Sequence, residues 1–282
     1  MPACPHREVM WGYRAMPASV LLVDIGNTRI KWALWKAGRL GRARAGVYTG
    51  WSSDDFARHL FRQGRTPRER GPARVIVASV AEGSVLRRLG AGARRASRGR
   101  VQSALELVET SRRAAGVVTR YTEPWRLGVD RFLGVIAAHH LAGSRGACVI
   151  NAGTAVTLDL VDGRGVHRGG AILPGPRLMI ESLLQRTAGI APRARGASRR
   201  RAASLFARDT AAAIEQGAAH AVAGAVERAI VACRRELGGA APLVILTGGG
   251  AAELRRLLRI KCTEVPDLVL KGIALHAGLA LR

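Results

Sequence analysis

The sequence predicts a duplicated α/β protein with two similar halves, each a mixed sheet covered by helices. Three observations lead there. Short apolar strands alternate with helical patterns along the chain. A strand that ends in an acid-or-amide, x, Gly, polar turn and continues as a hairpin occurs twice, at Asp24-Ile25-Gly26-Asn27-Thr28 and at Asn151-Ala152-Gly153-Thr154. A third glycine turn, Thr247-Gly248-Gly249-Gly250, follows another strand late in the chain. Two copies this far apart are a duplication, because solenoid repeats recur every ~20–50 residues.

In chain order, 20–25 reads as a buried strand entering a tight turn, 30–35 as its hairpin partner, and the stretch to about Tyr48 as a third strand despite its arginines. Residues 54–62 suit a helix, 74–80 a buried strand and 84–95 a second helix. Gly128 and Asp130 stand at the entrance of a helix over 130–137. The second half then repeats the plan, with strands at 147–150, 156–161 and 166–173 and a turn at Asp162-Gly163. A long helix spans 209–237, a strand 243–246, a helix 251–258, and a last helix 268–281. Apolar periodicity stops across 142–146, which sets the two halves at 16–143 and 144–282. Residues 1–15 mix acid, base, proline and aromatics without the apolar run of an export signal; they read as a disordered extension ahead of a start at Met16. Residues 188–203 read as an exposed, arginine-rich loop.

Composition narrows the class. The 282 residues are 48% hydrophobic and 23% charged, which excludes a disordered or fibrous chain. No stretch reaches the ~18 apolar residues of a membrane helix, so no membrane association is expected. The net charge of +25 would ordinarily suggest nucleic acid. Yet the lysines are Lys31, Lys36, Lys261 and Lys271 alone, and the remaining basic residues are arginine. Arginine, alanine and glycine all have GC-rich codons, so mutational bias accounts for part of the excess; only non-specific nucleic-acid binding is expected. The four cysteines are scattered with no CxxC pair, consistent with a reducing cytoplasm.

The chemistry gathers at the turns. Gly26, Gly153 and Gly248 to Gly250 would let backbone amides approach phosphate oxygens where a Cβ would obstruct. Thr28 and Thr154 can add hydroxyl donors, and Asp24 suits a divalent ion through water. Neither a G-x-x-x-x-G-K-[ST] loop nor a G-x-G-x-x-G turn after the first strand is present. The pair Asp130-Arg131 has two readings: a helix N-terminal acid beside a surface arginine, or a base beside an anion-binding group. Tyr121 could be a packed loop aromatic, and His139-His140 read as surface or packing residues.

Five motifs occur in order: Asp24 to Thr28, Leu127-Gly128-Val129-Asp130-Arg131, Asn151 to Ala155, Gly169-Gly170-Ala171-Ile172-Leu173-Pro174-Gly175, and Thr247-Gly248-Gly249. In that order the chain resembles the type III pantothenate kinases (the Bvg accessory factor family) of the actin/hexokinase-like ATPase superfamily. The resemblance implies two duplicated RNase H-like, actin-like ATPase domains. It also implies ATP-dependent phosphorylation of pantothenate to 4'-phosphopantothenate, the first step of coenzyme A biosynthesis. By similarity, ATP with Mg2+ is bound by Asp24, Ile25, Gly26, Asn27, Thr28, Arg29, Ile30, Lys31 and Thr154. Tyr121, Gly128, Val129, Asp130, Arg131 and Thr210 contact pantothenate, and Asp130 is the proton acceptor. One position departs from the family pattern: Asn151 stands where an aspartate ordinarily helps bind a monovalent cation, potassium or ammonium. An amide offers a carbonyl oxygen but no charge, which puts that dependence in doubt. The resemblance further implies a homodimer. In the 209–237 helix Ala211, Ile214, Ala218, Ala221, Ala225, Ala229 and Ala232 form a small-residue stripe that suits either a subunit contact or the chain's own sheet. The rival function is a non-catalytic or regulatory relative that binds nucleic acid through its basic surface.

Overall fold

The computed structural model describes residues 19–62, 72, 74–96, 105–194 and 205–281. The expected extension at 1–15 and most of the arginine-rich segment lie outside the described residues; within that segment Ile190–Arg193 forms a short helix.

The first sheet begins with β1 (Val20–Ile25), β2 (Arg29–Lys36), β3 (Arg39–Leu40) and β4 (Arg44–Val47). The single third strand expected here is thus two short ones, both paired to β2. Helix α1 (Ser53–Phe56) starts on a capping box between Ser52 and Asp55, and the helix expected to run on to residue 62 widens into a π-helical turn over Ala57–Arg62. Next come β5 (Arg74–Ser79), α2 (Gly83–Ala96), β6 (Glu106–Leu107), β7 (Arg113–Ala114), β8 (Val117–Thr119) and α3 (Val129–Ala142). The second half contains β9 (Ala147–Ala152), β10 (Ala155–Val161), β11 (Val166–Pro174), α4 (Pro176–Arg186), α5 (Ile190–Arg193) and α6 (Thr210–Glu236). It closes with β12 (Leu243–Thr247), α7 (Ala251–Leu257), β13 (Thr263–Glu264) and α8 (Leu268–His276). The last helix stops five residues short of the sequence expectation, because a terminating turn carries the Leu279 N–H back to the Ala274 carbonyl at 2.9 Å.

The duplication is explicit in the topology. The first sheet runs β3-β2-β1-β5-β6 and the second β11-β10-β9-β12-β13 in the same sense. In each, an antiparallel hairpin flanks a central strand whose other neighbour is parallel. The second sheet is extended by β8 and β7, which precede α3 in the chain; β8 pairs parallel with β11. Both faces of the central strands are covered, hence their continuous apolar runs. In β1, Val20 and Leu22 face a core shared with α3 and α8, while Leu21, Val23 and Ile25 face α2. In β9, Val149 joins the shared core, whereas Cys148 and Ile150 face α6 and α7. The shared core lies between the sheets, where α3 packs on α8 and α8 reaches back to β1 and β2.

Candidate active site

The sequence places its key carboxylates at element ends, and the fold brings those ends together. Asp24 lies near the end of β1, paired in register with Lys31 of β2. Asp130 is the second residue of α3, after Gly128 at the N-cap, a position where the helix dipole favours negative charge. Burial pushes the Asp24 carboxyl up to about 7, with the neighbouring charge of Asp130 adding to the effect and Lys31 opposing it. Burial likewise raises Asp130, aided by Asp159 and opposed by the Arg131 backbone N–H and guanidinium. The two carboxylates thus lie near enough to repel each other. Lys31 spans the junction of the two halves, donating its Nζ to the Pro266 carbonyl at 3.2 Å.

The turns have the local geometry expected of them. Gly26 N–H bonds the Arg29 carbonyl at 2.9 Å, and Gly153 N–H bonds the Ala155 carbonyl at 3.0 Å, so the second hairpin closes one residue tighter than the first. Thr28 and Thr154 are exposed at their tips. Tyr48 braces the first turn, its hydroxyl 2.7 Å from the Gly26 carbonyl and 3.0 Å from that of Asn27. The third turn packs directly on the second. Gly250 N–H bonds the Ala152 carbonyl at 2.9 Å, and Gly248 has φ +97° with a virtual Cβ only 2.3 Å from that same oxygen. Only glycine fits there.

A small enclosed cavity sits between α3 and the second sheet, lined by Asp130, Arg131, Asn151, Thr157, Asp159 and Thr247 among others. Asn151 is paired in register with Thr157 on one side and Thr247 on the other. Arg131, expected as either a surface or a functional group, is 7% exposed. Its Nε and Nη2 grip Asp159 at 3.0 and 2.7 Å, and its Nη1 donates to the Tyr121 hydroxyl at 3.1 Å. Tyr121 is therefore joined to the site rather than being only a packed loop aromatic. Thr210 is not among the cavity residues; it opens α6, whose first turn is capped by Asp209 accepting from Ala212 N–H at 2.9 Å. His139 is half-buried and His140 exposed near the far end of α3.

Asp159 and His167 are site residues that sequence reasoning missed. The signal was an acid inside the apolar run Val156 to Val161, since a buried charge requires a partner. His167 gave none, because its ring nitrogens find Asp159 and Thr119 only in the folded sheet.

A family model for type III pantothenate kinase matches residues 20–232. The chain belongs to the type III pantothenate kinase family. A type III pantothenate kinase from Halorhodospira halophila is 39% identical over 264 residues, covering 90% of this chain and 95% of the relative. One from Aromatoleum aromaticum is 39% identical over 265 residues, covering 92% and 97%. Among solved structures, a Campylobacter jejuni protein described as a Baf family transcriptional activator superposes with a TM-score of 0.54 at 17% identity, covering 92% of this chain and 98% of that one. That likeness concerns the fold alone. The chemistry of this family is phosphoryl transfer to an alcohol, pantothenate.

Proposed function

We propose that this chain transfers the γ-phosphoryl group of ATP to the primary hydroxyl of pantothenate, the step that opens coenzyme A biosynthesis. The observation that carries the reading is the placing of Asp24 close to the Asp130-Arg131 pair, in a chain of this family. Phosphoryl transfer asks little covalent chemistry of a protein; it needs positioning and charge stabilisation. The amides of the Gly26 and Gly153 turns, with Thr28 and Thr154, cradle the phosphates, and Arg29 to Lys31 continue that wall. Asp130, its carboxyl raised by burial, orients the acceptor hydroxyl and takes its proton. Arg131, held by Asp159, meets the negative charge of pantothenate or of the transferring group. Tyr121, Gly128 and Val129 complete the acceptor side.

The donor set fits a divalent ion. Two mutually repelling carboxylates, Asp24 and Asp130, lie close together, Asp24 two residues before Gly26, and among the described residues no three metal-ligating side chains form a closed cage. That pattern suits Mg2+, which keeps waters and is held by one or two carboxylates together with substrate phosphates. Once bound with ATP, the ion supplies charge neutralisation at the β- and γ-phosphates. The monovalent-cation position is weaker, because Asn151 brings an amide oxygen in place of a carboxylate.

We further read the protein as a cytoplasmic homodimer. Helix α4 has no buried residue, and its Leu178 and Leu183 stand 42% and 41% exposed. Met179 of α4 packs inward beside α6, and a second copy over its outer leucines would cover the apolar area left exposed. Thr210, at the start of the neighbouring α6, would then reach the substrate near the subunit contact.

A coupled assay with pantothenate and ATP, run in potassium, ammonium and sodium salts, tests the reading. Phosphorylation of pantothenate with little distinction among the three cations is expected. No turnover in any of them would overturn the assignment.

A further inference from the structure

Behind Arg131 and Asp159 lie buried side chains, His167 and Thr119, that none of the roles above uses. We propose that His167, acting through Asp159, is a positioning residue that sets the pose of Arg131 and thereby the affinity for the acidic acceptor. The inference rests on the reading of Arg131 as an acceptor-binding group.

His167 is fully buried, and Asp159 is 2% exposed. Asp159 Oδ1 receives both Arg131 Nη2 at 2.7 Å and His167 Nε2 at 3.0 Å, while Oδ2 receives Arg131 Nε at 3.0 Å. On the other side of the ring, His167 Nδ1 lies 3.2 Å from Thr119 Oγ1, which already accepts the Tyr121 backbone N–H at 3.2 Å. One proton arrangement satisfies every atom: the Thr119 hydroxyl donates to Nδ1, and Nε2–H donates to Asp159. The imidazole also stacks on Tyr121, with ring centroids 5.7 Å apart and planes 18° from parallel. Since the Tyr121 hydroxyl accepts from Arg131 Nη1, the chain of hydrogen bonds closes on itself.

The circuit leaves Arg131 a defined remainder. Three of the five guanidinium N–H groups are committed, so one on each Nη is left for a carboxylate or phosphate oxygen. The guanidinium is also walled in. A Cβ on Gly170 would stand 2.5 Å from Nη2, 2.5 Å from Asp159 Oδ1 and 2.2 Å from the Leu158 carbonyl. Removing the nitrogens of His167 takes a donor from Asp159 and loosens the carboxylate that aims the arginine. None of the hydrogen bonds of this circuit reaches the Gly26 or Gly153 turn, so acceptor and nucleotide should respond differently.

The test is steady-state kinetics on His167→Phe, which keeps the stacked ring and its volume but loses both nitrogens. The KM for pantothenate should rise about tenfold with the KM for ATP within about twofold, the size of effect a small misplacement brings. His167→Gln, which retains an N–H for Asp159, should recover most of the loss. If His167→Phe fails to fold, Thr119→Val removes only the hydroxyl at the far end and should give the same split in smaller measure. Equal changes in both KM values, a fall in kcat alone, or a glutamine variant no better than phenylalanine would overturn the proposal. A parent protein inactive on pantothenate overturns this inference together with the functional reading; an active parent with an unshifted variant overturns this inference alone.

Discussion

Asp130 sits in the first turn of α3 with its carboxyl raised by burial and by Asp159, and only its backbone neighbourhood and Arg131 hold it down. Asp130→Asn keeps the shape and removes the base. It should cost ~10²–10⁴ in kcat, with an unchanged circular-dichroism spectrum. Asp24 makes a separate prediction through linkage. Its carboxyl stands at about 7 in the folded chain against an ordinary 3.8, so between those values the folded state binds more protons and stability falls as pH rises. Asparagine cannot ionise. Asp24→Asn should therefore raise the melting temperature of the nucleotide-free protein at pH 8, by an amount worth up to about 4 kcal/mol, and the gain should vanish below about pH 4. The same variant should use ATP poorly. A melting temperature that does not respond to the substitution at either pH would show that Asp24 carries no such penalty.

At the scale of elements, α3 decides most. It is buried almost all round, and Phe132, Leu133, Val135 and Ile136 fill the space between the two sheets, against Leu268, Leu270 and Ile273 of α8. The same helix carries Asp130 and Arg131 at its entrance, so packing and chemistry share one rigid body. Leu133→Ala should cost ~2–5 kcal/mol in denaturant unfolding, because a cavity here is walled by both sheets and cannot collapse easily. Helix α6 shows how a stripe can be legible and yet incompletely informative. Its core face is Val222, Ala223, Val226, Ile230 and Cys233, packed on the second sheet. Of the small residues expected as a stripe, Ala218 is buried, Ala221 is exposed, and Ile214, Ala225, Ala229 and Ala232 lie partly covered along the flank. The valines chose the face, since they bury more apolar area than alanines.

For the whole molecule, assembly is the property that links surface to function. The exposed leucines of α4, with Ile172 of β11 62% exposed nearby in the chain, leave apolar area on the second half. Light scattering on the purified protein should give twice the chain mass of 30.0 kDa at micromolar concentration. A monomer mass with full activity would mean that one chain completes the site and that Thr210 has no part in it. The charge of +25 acts at the same scale as a diffuse field, which salt screens over about 8–10 Å.

The two hairpins, the glycine turns, the α3 entrance and the long α6 were legible in the sequence, because turn chemistry and helical periodicity are local. Strands of two or three residues were not, as β6, β7, β8 and β13 carry too little period to read. Only the tertiary structure placed β8 beside β11 and turned α8 back under the first sheet, since those pairings join segments far apart in the chain. The same holds for the site. Asp24 and Asp130 could be named from motifs, but their mutual repulsion exists only because β1 and α3 end at one junction. Asp159 and His167 look like ordinary strand residues until β8, β10, β11 and α3 enclose them, where a buried charge must find its partner.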